Sequence, residues 1–160
     1  MKAVAVDLDA LGDTRSLWRD FLADAARRFA PISPLDPDAR PEDRADAAAE
    51  HDRWAEAGVG DWRSALERFA EDRAPVYLRP SAEASAALRA LAAKGVRIGV
   101  YTDAPEPLAR VALAHLGAER RVDMLETGAG ARERLVARLG GADVAVVATP
   151  AGLTNITVDG

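Results

Sequence analysis

Two aspartates separated by one residue, Asp7 and Asp9, close the first apolar run of the chain. One of them projects over the end of that run while the other follows as the chain leaves it. Carboxylates so placed can hold a hard cation through oxygen, attack phosphorus as a nucleophile, or pass a proton to a leaving oxygen. A later apolar run, Val96 to Tyr101, also ends on an oxygen-bearing side chain, Thr102. Of the 21 basic residues only Lys2 and Lys94 are lysines, so any mechanism needing a cation beyond residue 94 must take it from arginine. The absence of cysteine excludes disulfides, thiolate zinc sites and cysteine nucleophiles. His51 and His115 stand 64 positions apart on expected helices and read as packing or surface residues rather than ligands.

The elements that must position these residues follow from periodicity. Val4, Ala5 and Val6 run into Asp7 without alternation, which suits a strand buried on both faces. Leu17, Trp18, Phe21, Leu22, Ala25 and Phe29 recur at three- and four-residue steps and predict a helix from Thr14 to Ala30. Prolines at 31, 34, 37 and 41 interrupt the chain, a second helix is expected from Glu42 to Ala57, and a third begins at Asp61 as N-cap. From Pro80 the rhythm becomes helix then strand. Helices are expected from Pro80-Ser81 to Lys94, Pro105 to Leu116 and Ala131 to Leu139, each closed by glycine. Strands are expected at Val96 to Tyr101, Arg121 to Leu125 and Asp143 to Ala148, with Asn155 to Val158 as a short edge strand.

This alternation predicts an α/β fold with a three-layer parallel sheet and right-handed crossovers. The core is formed by residues 1–13 and 78–160 and is interrupted by a helical insertion, 14–77, directly after the first strand. Such an insertion sits like a lid at the carboxyl edge of the sheet, where open α/β sheets bind their ligands. Trp18, Trp54 and Trp62 fall inside it and are expected to form the small core between its helices and the sheet edge, with one free to line a substrate pocket. A net charge of −5 gives no global attraction to nucleic acid or anionic membranes, and no apolar run reaches the roughly 18 residues of a membrane span. With no cysteine and no charged-then-apolar leader at Met1, the expected setting is a reducing cytoplasm.

The stretch Ala5-Val6-Asp7-Leu8-Asp9-Ala10-Leu11-Gly12-Asp13-Thr14 resembles the first motif of the haloacid dehalogenase (HAD) superfamily, an apolar strand followed by D-L-D-G-T-L, one variable residue and D-T. The match is one residue short, with Ala10-Leu11 where the family has Gly-Thr. Val96 to Thr102, with Asp103-Ala104-Pro105-Glu106-Pro107 and Leu116-Gly117 beyond, fits the second motif, a strand ending in Thr or Ser. The insertion between the two resembles the family's type 1 helical cap. The resemblance spans nearly the whole chain. It implies a Rossmannoid hydrolase acting on a small phosphorylated molecule, with Asp7 as the nucleophile that becomes an aspartyl phosphate, Asp9 as general acid and then base, and Thr102 bonding a phosphoryl oxygen. It also implies Mg²⁺ on Asp7 and Asp9.

The second half departs from that pattern. The family's third motif supplies a lysine, and none follows Lys94; Arg132, with Arg134 behind it, is the nearest substitute. Gly128 and Gly130 are expected to shape the turn into that helix, and Arg15 could reach an anionic group of a substrate. The fourth motif supplies acids after the last core strand, where Thr149-Pro150-Ala151-Gly152-Leu153 has none. Asp103 is the first candidate to replace them, before Asp13 and Glu126. Without them Mg²⁺ binding should be weak or lost and turnover slow, so a catalytically inactive binding or regulatory protein of the same fold is the alternative. A receiver-type phosphoacceptor domain fails on the long insertion and on the absent lysine near the chain end. The sequence therefore predicts that β-strands carrying Asp7 and Thr102 are neighbours, with the insertion above both.

Overall fold

In a computed structural model the described residues are 1–29, 43–56, 58 and 60–158. The expected proline break at 31–41, the expected helix start at Glu42 and the side chain of Trp54 lie outside them. The elements run β1 (Ala3–Asp7), α1 (Thr14–Phe29), α2 (Arg44–Glu56), α3 (Trp62–Tyr77), α4 (Ala82–Ala93), β2 (Arg97–Thr102), α5 (Glu106–His115), β3 (Met124–Thr127), α6 (Ala131–Leu139), β4 (Val144–Val147) and α7 (Pro150–Val158). No helix among the described residues is long and apolar enough to cross a membrane.

The four strands form one parallel sheet in the order β3-β2-β1-β4. Each of the first three strands is followed by a helical crossover to the next, which is what parallel strands require. β1 is central, and its register sets Asp7 beside Tyr101, so the carboxyl ends of β1 and β2 lie side by side. Alternate residues of these strands feed two cores. Val4, Val6, Ile98 and Val100 pack with α4, α5 and α7, whereas Ala3, Ala5 and Tyr101 pack with Ala131, Leu135 and Leu139 of α6. On the α6 side Gly99 is required by close approach, because a Cβ there would stand 2.6 Å from a Leu135 methyl.

The helices α1, α2 and α3 share the larger core with the sheet: Leu17, Phe21, Ala47, Trp62 and Leu66 belong to the same cluster as Val6 and Val100. Asp20 of α1 ties α3 in place, accepting from the Tyr77 hydroxyl at 2.8 Å and pairing with Arg73 at 3.8 Å. Asp61 caps α3 and Ser81 caps α4 through their side chains, as their types predict. Trp18 and Trp62 are buried in this core, together with His51.

Two elements differ from the sequence reading. The segment 155–158 is not an edge strand but the end of α7. Pro150 opens that helix, the Thr149 hydroxyl accepts from the Gly152 amide at 3.0 Å, and the fully buried Leu153 anchors the helix in the core. The β-branched run at its end follows this packing rather than its own preference. The strand expected at 121–125 begins later, at Met124, because a 3-10 turn occupies Glu119–Arg121 and Asp123 is spent clamping β2. The amide of Asp123 donates to the Ile98 carbonyl, and its carboxylate accepts from the Ile98 amide.

His51 is 1% exposed, donates from Nδ1 to the Ala47 carbonyl at 2.7 Å, and sits among Trp18, Phe21 and Trp62. Burial pushes its pKa below the ordinary value, outweighing the upward pull of the Ala47 carbonyl, Glu50 and Asp52. The folded ring is therefore neutral where the unfolded ring takes a proton. The contribution to stability is full above about pH 6.5 and is lost as pH falls from there toward the folded-state pKa. Urea midpoints measured against pH should decline through this window in the wild type, and His51→Leu should flatten that part of the curve.

Candidate active site

β1 ends at Asp7, and a 3-10 turn over Leu8–Ala10 carries the chain off the sheet. Asp7 caps this turn, its Oδ1 accepting from the Asp9 amide at 2.9 Å. Burial raises the pKa of the Asp7 carboxyl; the Asp9 amide lowers it, the Asp9 charge raises it further, and Arg44 and Arg15 pull it down, with the net shift upward. Asp9 is held differently. Its Oδ1 accepts from both the amide and the hydroxyl of Thr14, at 3.1 and 2.6 Å, and its Oδ2 meets two arginines.

The nearer arginine is Arg44, the first residue of α2, which the sequence reading missed. Asp43 caps α2 by accepting from the amides of Ala45 and Asp46, and this points the first turn at the carboxyl ends of β1 and β2. The Arg44 amide donates to Asp103 Oδ2 at 3.2 Å and its Nε to Asp103 Oδ1 at 2.7 Å. Nη1 donates to Thr14 Oγ1 at 2.6 Å, and Nη2 to Asp9 Oδ2 at 2.9 Å and Thr102 Oγ1 at 3.1 Å. Arg44 is 1% exposed. The signal for it was present in the sequence. Arg44 heads the stripe Ala47, Ala48 and His51, all buried, and a charge in a core-facing position demands partners.

Asp7, Asp9 and Thr102 thus lie together at the carboxyl end of the sheet, with Arg44 of α2 bonded to Asp9 and Thr102. Thr102 is buried; its hydroxyl accepts from Arg44 and from the Ala104 amide at 3.1 Å, and its own proton is not spent in these contacts. Beside them opens a cavity of about 210 Å³ lined by Asp7, Arg15, Tyr101, Thr102, Arg132 and the 128–131 loop, with Asp43, Asp103 and Glu133 also at its wall. Gly130 adopts φ 69° there and gives α6 no side-chain cap; the Ala131 amide donates to the Gly128 carbonyl, and the first turn of α6, the positive end of the helix, lines the cavity. The pKa of Tyr101 in the cavity wall is raised, by burial first and then by the Asp7 charge, with Arg132 pulling it down.

The remaining candidates are committed elsewhere. Arg134 is turned back onto β3, bonding Glu126, the Thr127 carbonyl and the Ala129 carbonyl. Glu126 is held by Arg138 and Arg134, which lower its pKa. Asp13 accepts from the amides of Arg15 and Ser16 and from the Ser16 hydroxyl, starting α1. His115 is the last residue of α5 and stands at a separate surface hollow with Arg110 and Glu67.

The fold matches that of solved proteins. The chain superimposes on a protein designated a beta-phosphoglucomutase from Thermotoga maritima, over 99% of its own length and 82% of that chain, with TM-score 0.57 and 18% identity. It superimposes on CbbY from Rhodobacter sphaeroides, crystallised in complex with phosphate, over 92% and 76%, with TM-score 0.55 and 18% identity. The fold is the HAD-like Rossmannoid fold. No family model and no curated protein matches the sequence.

In the HAD-like fold a Mg²⁺ ion is the implied cofactor, with Asp7, Asp9 and Asp103 as the expected ligands here. These residues do not fit it. Both oxygens of Asp9 and both of Asp103 already accept from Thr14, Arg15 and Arg44, and the loop after β4 contributes Thr149 rather than an acid. Among the described residues no group of three or more acidic, histidine or cysteine side chains converges on one point.

Removing the Arg44 guanidinium leaves two facing carboxylates without their buried cation. Arg44→Ala is expected to destabilise the fold by about 3 kcal/mol, read as a drop in urea midpoint. Arg44→Lys should recover only part, because an ammonium keeps the charge but cannot span Asp9, Asp103 and Thr14 as a planar fork does.

Proposed function

We propose that the chain is a HAD-type hydrolase, a slow phosphatase of a small phosphorylated metabolite, with Asp7 as its nucleophile. The observation that carries this reading is the position of Asp7 at the mouth of a cavity that also presents the Thr102 hydroxyl, Arg132 and the first turn of α6. Those groups are donors suited to the equatorial oxygens of a phosphoryl group, and phosphoryl transfer asks little of a protein beyond positioning and charge. In the first step an Asp7 oxygen bonds to phosphorus, the ester P–O bond breaks, and the leaving oxygen takes a proton from water, Asp9 being poorly placed to supply it. In the second, water attacks the aspartyl phosphate, releasing inorganic phosphate and restoring the carboxylate. Both neighbours described above carry names consistent with sugar-phosphate or phosphate chemistry, and the small cavity suits a compact substrate.

Slow turnover follows from Asp9. A general acid must first carry a proton to hand to the leaving group, but both oxygens of Asp9 already accept from Thr14, Arg15 and Arg44, which leaves little room for one. Losing efficient proton delivery costs orders of magnitude, each 1.36 kcal/mol of barrier being tenfold. The same contacts favour one other reading, an oxyanion-binding protein without turnover, which predicts phosphate binding and no phosphate release.

Phosphate release from an aryl phosphomonoester separates the two. Slow release that Asp7→Asn abolishes supports the hydrolase, since an amide is a far poorer nucleophile; release unchanged in that variant contradicts it. Because Asp7 must be ionised to attack and its pKa is raised, the rate should fall on the acid side with an apparent pKa above 3.8. An acid limb at or below that value would show that another carboxylate governs the reaction.

A further inference from the structure

The Arg44 guanidinium does at the sheet end what a bound metal ion would do. It stands between Asp9 and Asp103, neutralises both, and touches the Thr102 hydroxyl that lines the cavity. Four of its N–H bonds go to oxygens of Asp9, Asp103, Thr14 and Thr102, and its own amide supplies a second bond to Asp103. We propose that Arg44 is the resident cation of this site, so that the cavity takes a phosphate-like oxyanion without any divalent metal. This goes beyond the reading above, because it concerns cation and anion binding in the resting protein and is tested without turnover.

Three observations carry it. The first is occupancy: Mg²⁺ demands near-octahedral oxygen coordination at about 2.0–2.1 Å, and the Asp9 and Asp103 oxygens are already engaged at 2.6 to 3.4 Å by donors the ion would have to expel. The second is burial. Arg44 is 1% exposed, and a guanidinium driven from its acceptors there would lose its hydrogen bonds without ready access to water. The third is the complementary loss after β4, where the chain reaches α7 through Thr149-Pro150 with no acid to complete a metal sphere. A cation supplied by the chain makes that acid dispensable, and an always-protonated guanidinium is suited to the task. Because Arg44 opens α2, the positive charge arrives as part of the insertion itself.

Calorimetric titration of the wild-type protein with MgCl₂ alone, and with inorganic phosphate in chelator or in Mg²⁺, tests this directly. The expected result is no saturable Mg²⁺ binding and a phosphate affinity that is the same within about twofold in the two buffers. Saturable Mg²⁺ binding, or phosphate affinity at least about tenfold higher with Mg²⁺, overturns the proposal. Absence of phosphate binding in both buffers also overturns the proposal, since the cavity would then take no oxyanion, whereas equal phosphate binding in both buffers with no phosphate release from an ester sinks the phosphatase reading alone. Arg44→Gln, confirmed folded by circular dichroism, should lose phosphate affinity by about tenfold or more and gain a Mg²⁺-dependent rise in Tm, since Asp9 and Asp103 are then vacated. A folded variant indifferent to Mg²⁺ contradicts the assignment; should the variant not fold, the wild-type titrations decide.

Discussion

Carboxylates gathered at the end of a buried parallel sheet need a cation, and in this protein the Arg44 guanidinium provides it. Asp9 and Asp103 come from the ends of β1 and β2, and without a positive charge between them their burial would be costly. Arg44 answers both with bonds of 2.9 and 2.7 Å. The start of α2 is fixed by the same contacts, since its first amide donates to Asp103 and Asp43 caps the turn. Thr14, the first residue of α1, is drawn in as well: its hydroxyl donates to Asp9 and accepts from Arg44. One side chain therefore joins β1, β2, α1 and α2 at a single point.

That arrangement divides two neighbouring aspartates into different chemical roles. Asp9 spends its oxygens on fixed donors, whereas Asp7 spends one on the Asp9 amide and faces the cavity with the rest of its carboxylate. The pKa of Asp7 rises because burial outweighs the arginines around it. The cost of a structural arginine is borne by the proton-transfer group, and the nucleophile is left in place. A site assembled in this way retains the positioning part of phosphoryl chemistry while weakening its acid-base part.

Much of this was legible in the residues. The unbroken apolar run before Asp7, the helix-strand rhythm after Pro80 and the glycine stops fixed the α/β order, and Thr102 fell at the end of the strand beside β1 as its spacing required. Two failures have physical causes. Ile156, Thr157 and Val158 have strand-forming side chains, but Pro150, Thr149 and the burial of Leu153 start a helix that carries them along. Arg44 belongs to no motif at a strand end: it acts from the first turn of a helix, 35 positions from Asp9 in sequence. The missing acid of a metal site was expected from Asp103, Asp13 or Glu126. The chain instead places a cation there, Arg44, and Asp103 serves as its partner.

The most direct measurement is the arginine Nε–H region of a proton-nitrogen correlation spectrum. Arg44 Nε donates to Asp103 from a buried position, so one Nε–H should be protected from exchange with water, should vanish in Arg44→Gln, and should keep its shift and protection when Mg²⁺ is added. A spectrum with no protected Nε–H, or one in which Mg²⁺ releases that proton into rapid exchange, would show that the guanidinium does not hold the cation position and would contradict the account.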